Sequence, residues 1–471
     1  MLRLIRVAAA PWSCLRAEAI APALSRRGLL AAVCACCAAG VLAPVAAGAQ
    51  IASGAVRPLH GRLDVAAAAI EARMIAWRRD IHQSPELGNQ EVRTAALVAT
   101  HLRRLGYDVR EQVAVTGVVG TLRGDGGDGP VLALRADMDA LPVTEPAGLP
   151  FASRVRTIWA GEETGVMHAC GHDCHTAILL AVAEVLAAHR AELRGTVKLL
   201  FQPAEEGLPN FEVGGARRML DEGAFENPRP DAVMALHMVP FRRLGEITYT
   251  VGTTNASGDE FRIAVQGRQT HAAFPWSGVD PIVVGAQIVT ALQTIASREV
   301  NVVRSPVVIS VGSFRAGNRS NIIPNRAELT GTLRAFDDAA RIMAQRRVKE
   351  IAEGVAASMN ATAEVVWSPA GIPSNANDPA LAGRMAPTLA RIAGPGKLVP
   401  SSRGMALEDF SYFSRVVPGL FFNIGVTPAG VDPATAAPNH SPLFKVDEAA
   451  LLVGLRAMLH LVADYTGSGS A

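Results

Sequence analysis

Between Met167 and His175 the chain places three histidines, two cysteines and an aspartate within nine residues, as Met167-His168-Ala169-Cys170-Gly171-His172-Asp173-Cys174-His175. Thiolate, imidazole and carboxylate are the donors that transition metals take, and short spacing just before a helix start lets several point into one cavity. Buried cysteines and a helix-capping Asp173 would explain one or two of these residues but not the set. A second concentration, Phe201-Gln202-Pro203-Ala204-Glu205-Glu206-Gly207, follows an apolar run. Adjacent carboxylates repel, so both have a use where a cation divides their duties: one coordinates while its neighbour takes a proton from water. Glu-Glu alone is common on solvated faces. Its place at the C-terminal end of a strand, where open α/β sheets bind ligands, is what raises it. His237 closes the apolar run Ala232-Val233-Met234-Ala235-Leu236, and His440 lies in Pro438-Asn439-His440-Ser441-Pro442. A lone histidine at a strand end is more often structural. These two become candidate ligands because the other segments already imply a metal.

The elements that must hold these segments alternate in type. Apolar periodicity predicts helices over Leu63 to Asp80, Glu91 to Leu105, Thr176 to Ala188 and Gly215 to Glu222, and strands over Gly117 to Leu122, Val131 to Ala136, Val197 to Phe201 and Ala232 to His237. Strands alternating with helices indicate an α/β sheet covered on both faces. The Gly/Asp cluster from Gly124 to Gly129 reads as a hairpin turn rather than a cation loop.

The middle of the chain has a different order: strand Glu260 to Gln266, helix Pro281 to Ser297, strands Val307 to Phe314 and Ala327 to Phe336, helix Ala339 to Ala357, strand Thr362 to Trp367. That β-α-β-β-α-β series is the ferredoxin-like pattern. Strand and helix patterns resume afterwards, at Asp409 to Val416 and Leu420 to Val426, so the first domain is expected to be discontinuous, over 60–253 and 370–466, with 254–369 inserted.

With 471 residues, 49% hydrophobic and a net charge of +2, the chain can bury large cores, and its charge gives no support to nucleic-acid binding. Residues 1–49 read as a twin-arginine export signal: Ser25-Arg26-Arg27-Gly28-Leu29-Leu30 leads into a mildly apolar stretch ending Ala47-Gly48-Ala49. A retained anchor and a lipoprotein modified at Cys36 are the alternatives. Cleavage after Ala49 removes five Arg, one Glu and four cysteines, leaving 40 basic against 42 acidic residues, Cys170 and Cys174, and no stable membrane span. The expected location is periplasmic or secreted. Two cysteines four apart do not form a disulfide framework.

The ordered segments Arg78-Arg79-Asp80-Ile81-His82, Arg135-Ala136-Asp137-Met138-Asp139-Ala140-Leu141-Pro142, Met167 to His175, Gln202 to Gly207, Thr270-His271-Ala272-Ala273, Asn321-Ile322-Ile323-Pro324, Gly331-Thr332-Leu333-Arg334 and Asn439-His440-Ser441-Pro442 carry a family resemblance. Over about Ile70 to Leu459 the chain resembles the amidohydrolase branch of the M20 metallopeptidases, which includes hydrolases of hippurate-like N-acyl amino acids and of auxin conjugates. The resemblance implies a zinc-exopeptidase-like α/β catalytic domain with a ferredoxin-like lid and dimerisation domain. It implies two divalent ions per subunit (zinc, manganese, cobalt or nickel) on Cys170, His172, Glu206, His237 and His440, and Glu205 as general base. It also implies His271 as an oxyanion-stabilising group, reaching the active site of a partner subunit in a homodimer. Asn321 and Arg334 match positions near the substrate, where an arginine suits a carboxylate. Asp139 falls where related branches carry an aspartate that orients a ligand.

The chain departs from the family pattern at Cys174, usually glycine, at Gln269-Thr270, usually Gly-Gly, and at Trp276, usually histidine. Cys174 reads as a small filler, with an extra soft ligand or an oxidation partner for Cys170 as alternatives. The reaction expected from the resemblance is hydrolysis of small N-acyl amino acids. An M20 carboxypeptidase or dipeptidase is the near alternative, and a non-catalytic periplasmic metal- or ligand-binding protein the distant one, against which intact Glu205 argues.

Overall fold

A computed structural model describes residues 58–208 and 212–467. The export-signal reading concerns residues outside these.

The larger sheet takes β1 (Asp108–Val113), β2 (Gly117–Arg123), β3 (Val131–Asp137), β4 (Thr196–Gln202), β5 (Ala232–Arg243) and β6 (Ile247–Tyr249), and is completed late in the chain by β11 (Leu398–Pro400) and β12 (Gly419–Thr427). The spatial order is β1-β2-β4-β3-β5-β12-β6-β11. Its centre, β4-β3-β5-β12, is parallel, and these strands read as continuous apolar runs because both their faces are covered. On one face α1 (Pro58–Gln83), α2 (Val92–Arg104), α3 (His172–Ala188), α7 (Pro379–Ala393) and α9 (Ala449–Gly467) pack around Leu134, Ile178, Leu236 and Leu455. On the other, the short α4 (Gly215–Asp221) and α8 (Phe410–Ser414) close over Leu200, Ala235 and Phe421. Among the described residues α9 alone is long and apolar enough to cross a membrane, and it is mostly buried in this core.

The hairpin expected at Gly124 to Gly129 is corrected by the sheet order, because β4 lies between β2 and β3. That segment instead packs against the approach to β4: Gly124 N donates to Gly195 O and Gly126 N to Leu193 O, both at 2.9 Å. A Cβ on Gly124 would overlap the Leu193 carbonyl. The glycines therefore serve a close crossing, a use that sequence punctuation does not distinguish from a turn.

The smaller sheet is antiparallel, β8 (Val307–Ala316), β9 (Arg326–Ala335), β7 (Ser257–Gln266), β10 (Thr362–Trp367) in spatial order, the ferredoxin-like arrangement. Along β7 Phe261, Ile263 and Val265 are buried while Glu260 and Arg262 are exposed, the alternation of a sheet covered on one face. Helices α5 (Pro281–Thr294) and α6 (Asp338–Ser358) cover it. Their starts are fixed by Asp280 and Asp337, which accept from the amides of Ile282 and Ala340 at 2.8 Å. The chain enters and leaves this unit side by side: Gly252–Asn255 pairs with Asn375–Asn377, and Gly258 exchanges hydrogen bonds with Ile372.

Candidate metal centre

Cys170 just ahead of α3, Glu205 and Glu206 just after β4, and His237 and Val239 on β5 line one cavity of about 800 Å³. Gly171, at φ +97°, turns the chain between Cys170 and His172, a left-handed conformation that suits glycine. Cys170 Sγ then lies 3.4 Å from His237 Nε2. Glu206 Oε1 faces His440 Nε2 at 3.2 Å and His172 Nε2 at 3.8 Å. The structure thus brings together Cys170, His172, Glu206, His237 and His440 in overlapping groups of three donors, with Cys170 common to two of them. These separations are shorter than twice a zinc-ligand bond of about 2.0–2.3 Å, so ions could sit between the donors.

The orientation of the rings suits that use. His172 donates from Nδ1 to the Asp139 carbonyl at 2.9 Å, leaving Nε2 buried and without a hydrogen-bond partner among the described residues. His237 donates from Nδ1 to Met238 O at 3.0 Å, leaving Nε2 toward the thiol. In each ring one nitrogen is anchored to protein and the other points to the cluster. Burial opposes charge on His172, but Asp137 and Asp139 outweigh it and raise its pKa well above the ordinary value, so a cation would bind there by displacing a proton. Without a cation, burial and then Glu206 push the Cys170 thiol well above its ordinary pKa. A bound cation would reverse this. The donor set fits a borderline-soft divalent metal.

The remaining members of the nine-residue cluster have other work. His175 donates from Nδ1 to Asp137 at 2.6 Å and accepts the Met238 amide on Nε2 at 3.0 Å, bracing the strand that carries His237. Asp173 binds Arg78 and His82, at 2.7 and 2.8 Å. Cys174 is buried in the larger core and belongs to none of the donor groups, as expected of a filler. His168 is buried, and burial holds its pKa at about 3.

Glu205 sits between this cluster and a second set of acids. Its Oε2 is 4.0 Å from His172 Nε2, its Oε1 faces the Asp409 amide at 3.4 Å, and it groups with the carboxylates of Glu408 and Asp409. Burial, then Glu408, Glu206 and Asp409, raise its pKa well above the ordinary carboxylate value. Arg135, fully buried, holds the web together: Nη1 lies 2.8 Å from Asp137, Nη2 3.1 Å from both Glu408 and Asp409, and Nε donates to Gln202 at 2.8 Å. Just ahead of Glu205, Ala204 takes a left-handed conformation, φ +51°, and its amide is held by Glu91 at 2.9 Å. Burial raises Glu91 to about 7.

Arg334 lines the same cavity. His271 and Asn321 do not line it within one chain: both are exposed, joined through the Ala272 amide and the Asn321 carbonyl at 3.1 Å. Sequence reasoning quoted Arg135 and Asn439 within motifs without a role, and missed Glu91, Glu408 and Asp409. Glu408-Asp409 carries the same signal as Glu205-Glu206, adjacent carboxylates beside an apolar element.

A mixed sheet with thiolate, imidazole and carboxylate donors and a neighbouring half-buried acid at its parallel strand ends defines a metal-dependent hydrolase. The chain belongs to peptidase family M20/M25/M40, whose sequence profile it matches over residues 133–464. It is 38% identical over 392 residues to the putative amidohydrolase YhaA of Bacillus subtilis, covering 83% of this chain and 94% of that one. It is 36% identical to the N-acetyl-L-cysteine deacetylase of the same organism, covering 81% and 86%. Among solved structures it is similar to the B. subtilis YXEP protein, described as a dinuclear metal binding peptidase, with TM-score 0.71 and 34% identity over 85% of this chain and all of that one.

Proposed function

We propose that this protein hydrolyses the amide bond of N-acyl amino acids, with Cys170, His172, Glu206, His237 and His440 holding two divalent ions. When bound, the ions supply Lewis acidity toward the amide carbonyl and lower the pKa of the attacking water. Glu205 takes the proton of that water and passes it to the departing amine nitrogen. Arg334 receives the substrate carboxylate with its planar pair of donors. His271 of a second copy, brought by dimerisation through the smaller sheet, stabilises the charge that develops on the carbonyl oxygen.

The observation that carries this reading is the division of labour in Glu205-Glu206: Glu206 faces two ligand histidines, while Glu205, half-buried beside them, turns to the Asp409 amide. The N-acyl amino acid class is supported by the deacetylase relative. The leader reading belongs to the same proposal, and N-terminal sequencing of the exported protein, expected to start at Gln50, checks it.

The test is release of free amino acid from a panel of N-acyl amino acids and dipeptides by metal-reconstituted protein, with Glu205→Ala alongside. Acyl amino acids are expected to be cleaved, and Glu205→Ala to bind metal normally while losing about 10²- to 10⁴-fold in kcat. Faster cleavage of dipeptides points to a peptidase. Metal binding without turnover of any substrate points to a binding protein.

A further inference from the structure

Where β7 and β9 run side by side, a missing side chain fits against two large ones. Gly258 and Arg334 are directly opposed on these antiparallel strands, so a side chain at 258 would share a face with the guanidinium. A Cβ there would come within 2.5 Å of both Leu407 methyls and 2.7 Å of Arg334 Nη1. The Gly258 backbone is pinned by its two 2.8 Å hydrogen bonds to Ile372, so the side-chain ends would have to move. Gly258, Arg334, Ile372, Met405 and Leu407 all line the cavity of the metal cluster. Among the described residues the Arg334 guanidinium donates one hydrogen bond, from Nη1 to its neighbour's carbonyl, Leu333 O, at 3.4 Å, and forms no ion pair. The next residues after Leu407 are Glu408 and Asp409, which face Glu205. One short segment therefore joins the apolar contact at Arg334 to the acids around the base.

We propose that Gly258 and Leu407 determine specificity for the amino-acid half of the substrate. Room at 258 seats the guanidinium of Arg334 beside an apolar wall of Leu407, Met405 and Ile372. That surface selects an amino acid whose carboxylate meets Arg334 and whose side chain is apolar. Glu260, on the same lining, disfavours an acidic one. The proposal rests on the reading above that Arg334 receives the carboxylate.

The experiment measures kcat and KM on N-acetyl derivatives of leucine, methionine, aspartate and lysine for zinc-loaded parent, L407A, G258A and R334Q, with zinc content determined for each. The parent is expected to favour leucine and methionine over aspartate by at least about tenfold in kcat/KM, and L407A to lose about tenfold of that preference. In G258A the displaced atoms are the ends of two flexible side chains, so the fold and the zinc content are retained. Its KM is expected to rise about tenfold across the panel with kcat held, the signature of lost uniform binding. A parent without side-chain preference, an L407A preference equal to the parent's, or a G258A KM equal to the parent's overturns the proposal. An unchanged KM in R334Q separately overturns the carboxylate reading beneath it.

Discussion

His172 and Asp139 meet twice: the ring Nδ1 donates to the Asp139 backbone oxygen at 2.9 Å and lies 3.2 Å from its Oδ1. The other carboxylate oxygen, Oδ2, accepts the Glu206 amide at 2.9 Å. One side chain thus orients an imidazole donor and the backbone of a carboxylate donor. Asp139→Ala is expected to weaken metal affinity about 10- to 100-fold with the fold intact. Competition with a chromophoric chelator measures it, and an affinity equal to the parent's would show that Asp139 only fills space.

Asn439 joins three donor segments. Its Nδ2 donates to Cys170 O and Met238 O, both at 3.1 Å, and it precedes His440, whose amide donates to Ala169 O at 2.8 Å. His440 sits at φ +69°, a conformation a non-glycine residue holds only when its surroundings impose it. Asn439→Ala is expected to release metal faster and to alter the visible spectrum of the cobalt-substituted protein. Identical spectra and release rates in variant and parent would refute this.

A pH dependence follows from His82. Burial opposes its charge, but Asp173 on Nδ1 and Glu145 on Nε2 outweigh burial and raise its pKa from 6.5 to about 8. A pKa raised in the folded state gives stability that is complete below pH 6.5 and is lost as pH climbs through 8. The loss amounts to about 2 kcal/mol. His82→Gln is expected to flatten the parent's decline between pH 6.5 and 8 in chemical denaturation. A variant that declines as steeply as the parent excludes His82 as the source.

The smaller sheet was legible because its strands are half exposed: Phe261, Ile263 and Val265 alternate with Glu260 and Arg262, and a period of two shows in the letters. The interior strands of the larger sheet show as apolar runs, which mark a strand but say nothing of its neighbours. That is why Gly124 to Gly129 was misread. At the site, residue type identified the donor segments, yet type alone makes His168, His172 and His175 equivalent. Their hydrogen bonds separate them, since His175 is occupied at both nitrogens and His172 at one. Glu408 and Asp409 lie some two hundred positions from Glu205, and only the return of the chain through α8 and β12 brings them to it.

The pairing of Gly252–Asn255 with Asn375–Asn377, extended by the Gly258 and Ile372 bridge, means that the long excursion through the smaller sheet begins and ends at one place. To the larger sheet it is a loop whose ends are already closed, so its length adds little to the entropy of assembling the donor strands. Sequence change within the excursion can therefore reshape what the cavity accepts while leaving the spacing of Cys170, His172 and His237 untouched. Arg334 thus lies on a stretch of chain separate from the one that carries Cys170, His172 and His237.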